Sequence, residues 1–346
     1  MSSKEVIPGI RSIGMATGGR LVTNAEIANQ LGENKQLIDR YARKFGPQQR
    51  YWATENEVTS DLAAGAVIDA LEMAGRSPEE LTAIICGTDS SDVLGVALAS
   101  IVQYKVGAPK EGIHHDVVAG CVGFLRAVRE VYLDLSSPFG KGGLQVAVGA
   151  EILSRHIHPS RRDTYVLFGD AAGALLIENV PDDQGLKNKI QFEFITDGEY
   201  AEALCVPAGG SKLPTSKETV EGNLHIVYMN GPLVESVAVP RMVEVVKKVM
   251  EKARVTIGDI SLFVIHQANY RMILDAVKQL ELPIEKVFIN IDRMGNTSTA
   301  STPIVLKEAY NQGKIKPNEL IVIVAFGAGL NCGAAVLPTV GLPPRA

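Results

Sequence analysis

Cys121, His266 and Asn296 are the residues whose types could do covalent chemistry. Cys121 follows Val117-Val118-Ala119-Gly120 and precedes a helix-forming run over 122–135. A cysteine at a strand-to-helix turn sits at the positive end of a helix dipole, which stabilises a thiolate and predicts a lowered pKa. Gly120 and Gly123 beside it allow a tight turn and close approach of backbone to a carbonyl. The plain alternative is a small buried cysteine. His266 directly follows an apolar run, in VIHQAN, where α/β proteins place functional groups at the carboxyl ends of strands. Its alternative is a histidine satisfied by loop hydrogen bonds. Asn296 lies in MGNTS ahead of a helical pattern, and its alternative is a cap or turn asparagine. The case for a site rests on the three occurring together, at equivalent strand and helix ends.

The elements that must position them alternate along the chain. Apolar runs at 81–86, 145–149, 165–168, 262–265 and 320–325 read as strands covered on both faces. Helical patterns occupy 62–74, 122–135, 239–253, 270–280 and 303–312, so the chain reads as α/β. A faint repeat at a spacing of roughly 180 residues pairs EMAGRSPEELTAIIC with KKVMEKARVTIGDISLFVI. It continues through HHDVVAGCVGF with VFINIDRMGNTS, and through LQVAVGAE with LIVIVAFGAG. Two copies of one unit follow, divided as 1–177, carrying the cysteine, and 178–346, carrying the histidine and asparagine. The stretch 178–230 around the junction, rich in Gly, Pro, Asp and Lys, reads as a crossover with surface loops. The turns FGDAAG at 168–173 and FGAG at 326–329 lack the lysine of a phosphate loop and read as strand–turn–strand hairpins. A backbone N–H exposed in such a turn suits an oxyanion hole.

Composition bounds the alternatives. At 346 residues, 46% hydrophobic and 21% charged, the chain has ample apolar content for a core. A net charge of −5 offers no global field for nucleic acid. No apolar run reaches the roughly 20 residues of a membrane span. MSSKEVIPGIRS carries no apolar signal core, so a cytoplasmic location is expected. Cys86, Cys121, Cys205 and Cys332 are widely spaced and predict free thiols, with neither a disulfide framework nor a metal site.

The motifs AGCVGF (119–124), FGDAAGA (168–174), MNGPLVESVAV (229–239), HQANYRM (266–272), GNTSTAS (295–301) and FGAGLNCGA (326–334) carry a family likeness, in order along nearly the whole chain. The sequence resembles the thiolase-fold condensing enzymes of the β-ketoacyl-acyl-carrier-protein synthase III type. The resemblance implies a five-layer αβαβα fold of two duplicated halves, a homodimer, no cofactor, and acyl-CoA and acyl-carrier protein as partners. It implies that Cys121 stores an acyl group as a thioester, with the N–H groups of Cys121 and Ala328 as oxyanion hole. His266 and Asn296 would then hold the enolate of a decarboxylating malonyl thioester.

By the same resemblance Arg43 and Arg162 are candidates for CoA. Gly95 and Phe326 belong with the substrate site, and Arg271 with Lys278 would face an acidic carrier protein, against a plain solvated helix face for Lys278. Two departures stand out. The stretch 43–50 carries an insertion within the family's Arg-Thr-Gly-Ile-Arg pattern, and the single tryptophan, Trp52, follows it where many members place one before it to stack on adenine. Where members often carry a Phe-Pro pair, this chain has SDVLGV at 91–96, which predicts room for an acyl group larger than acetyl. Three other activities compete with condensation: acyl transfer to a hydroxyl or amine, a silent partner subunit, and non-decarboxylative condensation. The last needs an additional acidic base that the sequence does not identify.

Overall fold

The structure, a computed structural model, describes residues 5–345. Its first sheet runs in the order Val6–Thr17, Ala171–Pro181, Leu144–Glu151, Leu81–Gly87, Ile113–Val117. The first two contacts are antiparallel and the next two parallel. The second sheet repeats that pattern with Gln191–Thr196, Asn331–Pro338, Leu320–Gly327 and Ile260–Ile265. Its contacts are antiparallel, antiparallel and parallel, and a parallel bridge from Phe263 to Val287 stands where the fifth strand would be.

Helices fill three layers around the two sheets. Thr59–Ala74 and Leu98–Val106 cover the outer face of the first sheet, burying Leu62, Val67, Leu71, Leu98 and Val102 against Ile84 and Val146. Gly231–Ala253 and Tyr270–Gln279 cover the second, with Val245, Val249 and Ile273 against Phe263 and Val322. Between the sheets lie Gly123–Ser136 and Ser301–Asn311, whose Leu125, Val128, Val131, Val305 and Leu306 pack against strands of both. In Gly123–Ser136 the buried positions recur at three- and four-residue intervals on both sides, as a helix sandwiched between sheets requires. The layering is αβαβα. No described helix is long and apolar enough to cross a membrane.

Three expectations need correction. The run 165–168 is not a strand: Arg162–Tyr165 is a short helix, and Phe168 makes only a single parallel bridge, to Asn296. Its apolar side chains cluster with Trp52 and Leu153 away from the sheets, and four apolar residues carry no period that separates strand from helix. FGDAAG is therefore no hairpin, whereas FGAG does join the antiparallel strands Leu320–Gly327 and Asn331–Pro338. The stretch 178–230 is more than a crossover. It holds the second-sheet strand Gln191–Thr196 and the ribbon Leu204–Cys205 with Tyr228–Met229, and the strand that opens it runs on to Pro181, past the division at 177.

Candidate active site

Both central helices begin at one place. The turn Gly120–Val122 leads into Gly123–Ser136, and the turn Ser298–Ala300 leads into Ser301–Asn311. Gly120 has φ +58°, and a Cβ there would stand 2.4 Å from the Ala328 nitrogen. A Cβ on Gly327 would stand 2.3 Å from the nitrogen of Cys121. Only glycine lets these two turns meet backbone to backbone, which brings the main chain at Cys121 and at Ala328 together.

A cavity of about 1730 Å³ opens onto this junction, and Cys121, His266, Asn296, Phe326, Ala328 and Gly95 all line it. Cys121, His266 and Asn296 are buried. The strand end holds His266 through its N–H to the Val324 carbonyl (2.8 Å). Its Nδ1 lies 2.5 Å from Ser301 Oγ, which also accepts the Gln267 N–H at 3.3 Å. We assign the Ser301 hydroxyl as the donor to Nδ1, which leaves the ring hydrogen on Nε2. Burial lowers the His266 pKa to about 3, which keeps the imidazole neutral. Asn296 accepts the Ser298 N–H on Oδ1 (2.8 Å) and donates from Nδ2 to the Ala268 carbonyl (3.3 Å), leaving the second amide hydrogen for a ligand.

The thiol contradicts the expected lowering of its pKa. Burial pushes Cys121 up to about 12, the carboxyls of Asp89 and Glu151 add to this, and a hydrogen bond from Ser298 Oγ to Sγ (3.3 Å) acts against it. A helix dipole does not outweigh desolvation of a thiolate in a closed site. Sequence reading missed Asp89, Glu151 and Ser298, although Ser298 stands inside the GNTS motif and Glu151 ends a strand in LQVAVGAE.

The basic candidates lie further out. Arg43 is exposed in the last turn of Lys35–Phe45, and its neighbours Lys44 and Phe45 line the cavity instead. Arg162 is exposed and paired with Glu33, outside the cavity lining. Arg155, not singled out from the sequence, does line it, and donates to the carbonyls of Thr54 and Glu55 at 3.2 Å. Arg271 is exposed on Tyr270–Gln279, paired with Glu235 (3.3 Å) and Asp275 (3.8 Å), and Lys278 is exposed on the same helix.

Comparison with known proteins gives the same picture. Residues 115–198 match the family model described as 3-oxoacyl-[acyl-carrier-protein] synthase III, and residues 250–339 match that for its C-terminal part. A beta-ketoacyl-[acyl-carrier-protein] synthase III of Symbiobacterium thermophilum is 40% identical over 95% of this chain and 97% of its own. The enzyme of the same name from Clostridioides difficile is 41% identical over 85% and 88%. The structure of the Thermus thermophilus synthase III superposes with a TM-score of 0.85 at 37% identity, covering 96% of this chain and 99% of that one. On these grounds the chain belongs to the 3-oxoacyl-[acyl-carrier-protein] synthase III family.

Proposed function

We propose that this protein is an acyltransferase that condenses an acyl thioester with a malonyl thioester, releasing carbon dioxide and a 3-oxoacyl product, as in fatty-acid or polyketide-type biosynthesis. The observation that carries the reading is that one cavity receives a thiol, a neutral imidazole fixed at Nδ1 and a carboxamide with a spare hydrogen. Cys121 sulfur attacks the acyl thioester and the CoA or phosphopantetheine thiol departs, leaving acyl-Cys121. The tetrahedral oxyanion is held by the N–H groups of Cys121 and Ala328. The malonyl thioester then loses carbon dioxide, and its enolate oxygen accepts from His266 Nε2 and Asn296 Nδ2. Attack of the enolate carbon on the acyl carbonyl frees the sulfur.

Both enolate donors lining the cavity favour condensation over transfer to a hydroxyl or amine, which needs no enolate to be held, and over a silent subunit. The cavity exceeds the ~300–1,000 Å³ of ordinary small-molecule sites, and Gly95 lines it in place of a bulky side chain. This supports acyl groups larger than acetyl. Leu94 (93% exposed) and Val118 (77% exposed) at the mouth favour pairing with a second copy of the chain. Four free cysteines suit a reducing, cytoplasmic setting. Arg155 and Lys44 at the cavity suit a CoA or phosphopantetheine phosphate, and the exposed Lys278 suits an acidic carrier protein.

Incubation with acyl-CoAs of increasing length, followed by malonyl-carrier protein, tests the reading by mass spectrometry of adduct and product. A Cys121 adduct converted to a 3-oxoacyl chain is expected. An adduct that hydrolyses or moves to an alcohol without loss of carbon dioxide from malonate rejects condensation, and strict acetyl preference rejects the large pocket.

A further inference from the structure

Cys121 touches a polar chain that the condensation scheme does not use. Ser298 Oγ is 3.3 Å from Cys121 Sγ and 3.5 Å from Glu151 Oε1. Ser298 holds a left-handed φ of +49°, uncommon for a residue with a side chain, and the Asn296 carboxamide accepts its N–H. That conformation holds the hydroxyl between sulfur and carboxyl. Glu151 is fully buried, and its oxygens accept the Ser90 hydroxyl (2.5 Å) and the Asp89 N–H (3.1 Å). Among the described residues no lysine or arginine pairs with it. The titratable groups that face it are Asp89 and, across Ser298, Cys121.

A hydroxyl has one proton and cannot donate to both neighbours. If Glu151 is charged, the carboxylate takes that proton and turns an oxygen lone pair toward sulfur. If Glu151 keeps its own proton, it donates to Ser298 Oγ, and the hydroxyl is left to donate to sulfur. Two neighbouring carboxyls in a closed site do not both ionise. Both carboxyl pKa values are raised, but Asp89 is reached from the cavity and accepts the Gly120 N–H at 3.3 Å, so it gives up its proton first, while Glu151, sealed from the cavity, keeps its own. Burial raises the Glu151 pKa well above the usual carboxylate value, and Asp89 raises it further.

We propose that neutral Glu151 is a positioning residue that orients the Ser298 hydroxyl to donate to the Cys121 sulfur, and that Ser298 is the side chain that stabilises the thiolate. The proposal rests on Cys121 as the nucleophile and deepens that part of the functional reading. It concerns sulfur reactivity alone, so it fails or stands independently of condensation.

The test is alkylation of the full chain by iodoacetamide across pH, with Cys121 occupancy read by peptide mass. Ser298→Gly removes the hydroxyl while allowing the left-handed backbone, and slows Cys121 alkylation at neutral pH about tenfold or more, as expected for loss of a hydrogen bond to a charged group. Glu151→Ala slows it comparably. Glu151→Gln, whose amide donates to Ser298 in the same way, recovers the rate to within about threefold of the unsubstituted protein. The Gln variant keeps gaining rate at alkaline pH, whereas the unsubstituted protein falls behind as Glu151 loses its proton. Unchanged alkylation in Ser298→Gly overturns the role of the hydroxyl. Alkylation in Glu151→Gln ten times or more below the unsubstituted protein overturns the neutral donor, and these two variants decide the matter even if Glu151→Ala does not fold.

Discussion

The backbone N–H of Phe124 donates to the Thr299 hydroxyl at 2.7 Å, across 175 residues of sequence. The second half of the chain thereby caps the helix that follows Cys121 in the first. The contact is fully buried at Phe124 and Thr299, so the N–H has no water to turn to. The cap that a helix usually takes from its own preceding residue is supplied here from the turn Ser298–Ala300.

Thr299→Ala should therefore cost about 1–2 kcal/mol of stability, the usual cost of a lost cap with a stranded donor. Thr299→Ser should restore most of it. Urea unfolding of the three proteins checks this, and equal midpoints for Thr299→Ala and the unsubstituted chain would contradict it.

Asn296→Ala is expected to leave acylation of Cys121 in place and to lower condensation about 10²–10³-fold, the effect of losing one charge-stabilising donor. Its loss also frees the Ser298 N–H, so acylation is measured separately by intact mass before malonyl-carrier protein is added. Loss of both steps to the same extent would make Asn296 a structural residue.

Ser301→Ala removes the partner that assigns the hydrogen of His266 to Nε2. Decarboxylation of malonyl thioester should fall about tenfold while alkylation of Cys121 is retained, because only the enolate donor is disturbed. Release of labelled carbon dioxide reads this directly.

Glu151 gives a pH-dependent stability with a definite sign. Its pKa is raised in the fold, so above the ordinary Glu value the unfolded chain sheds a proton that the folded chain keeps. Its contribution is therefore fully present at low pH and declines as pH rises from about 4.5. Glu151→Gln should raise the melting temperature more at pH 7 than at pH 4, and a larger gain at pH 4 would reverse the assignment.

Much of this site can be read from the chain before any coordinates. Cys121 and His266 follow apolar runs and Asn296 opens a helical pattern; each alone has an ordinary structural explanation, and it is their joint occurrence at strand and helix ends that marks the site. The repeat is equally legible, because the two copies keep the order of buried strand, glycine turn and helix. The supporting shell is not. Glu151 ends the strand Leu144–Glu151, where a charged residue after VAVGA looks like a solvent-facing terminus, and only the packing of Ser90, Asp89 and Ser298 around it shows otherwise. Nor could the thiol's raised pKa be read, since the dipole is local to the sequence while desolvation comes from the whole fold. The run 165–168 failed for a simpler reason: it is too short to have a period.

The glycine-to-backbone junction of Gly120 with Ala328 and Gly327 with Cys121 tolerates not one extra methyl group, while the loop around Gly95 has open space beside it. Mutational freedom in this protein is thus divided by geography. Side chains along the vestibule wall can change in size, and the range of acyl chains the cavity accepts can shift with them, without disturbing the backbone junction behind Cys121.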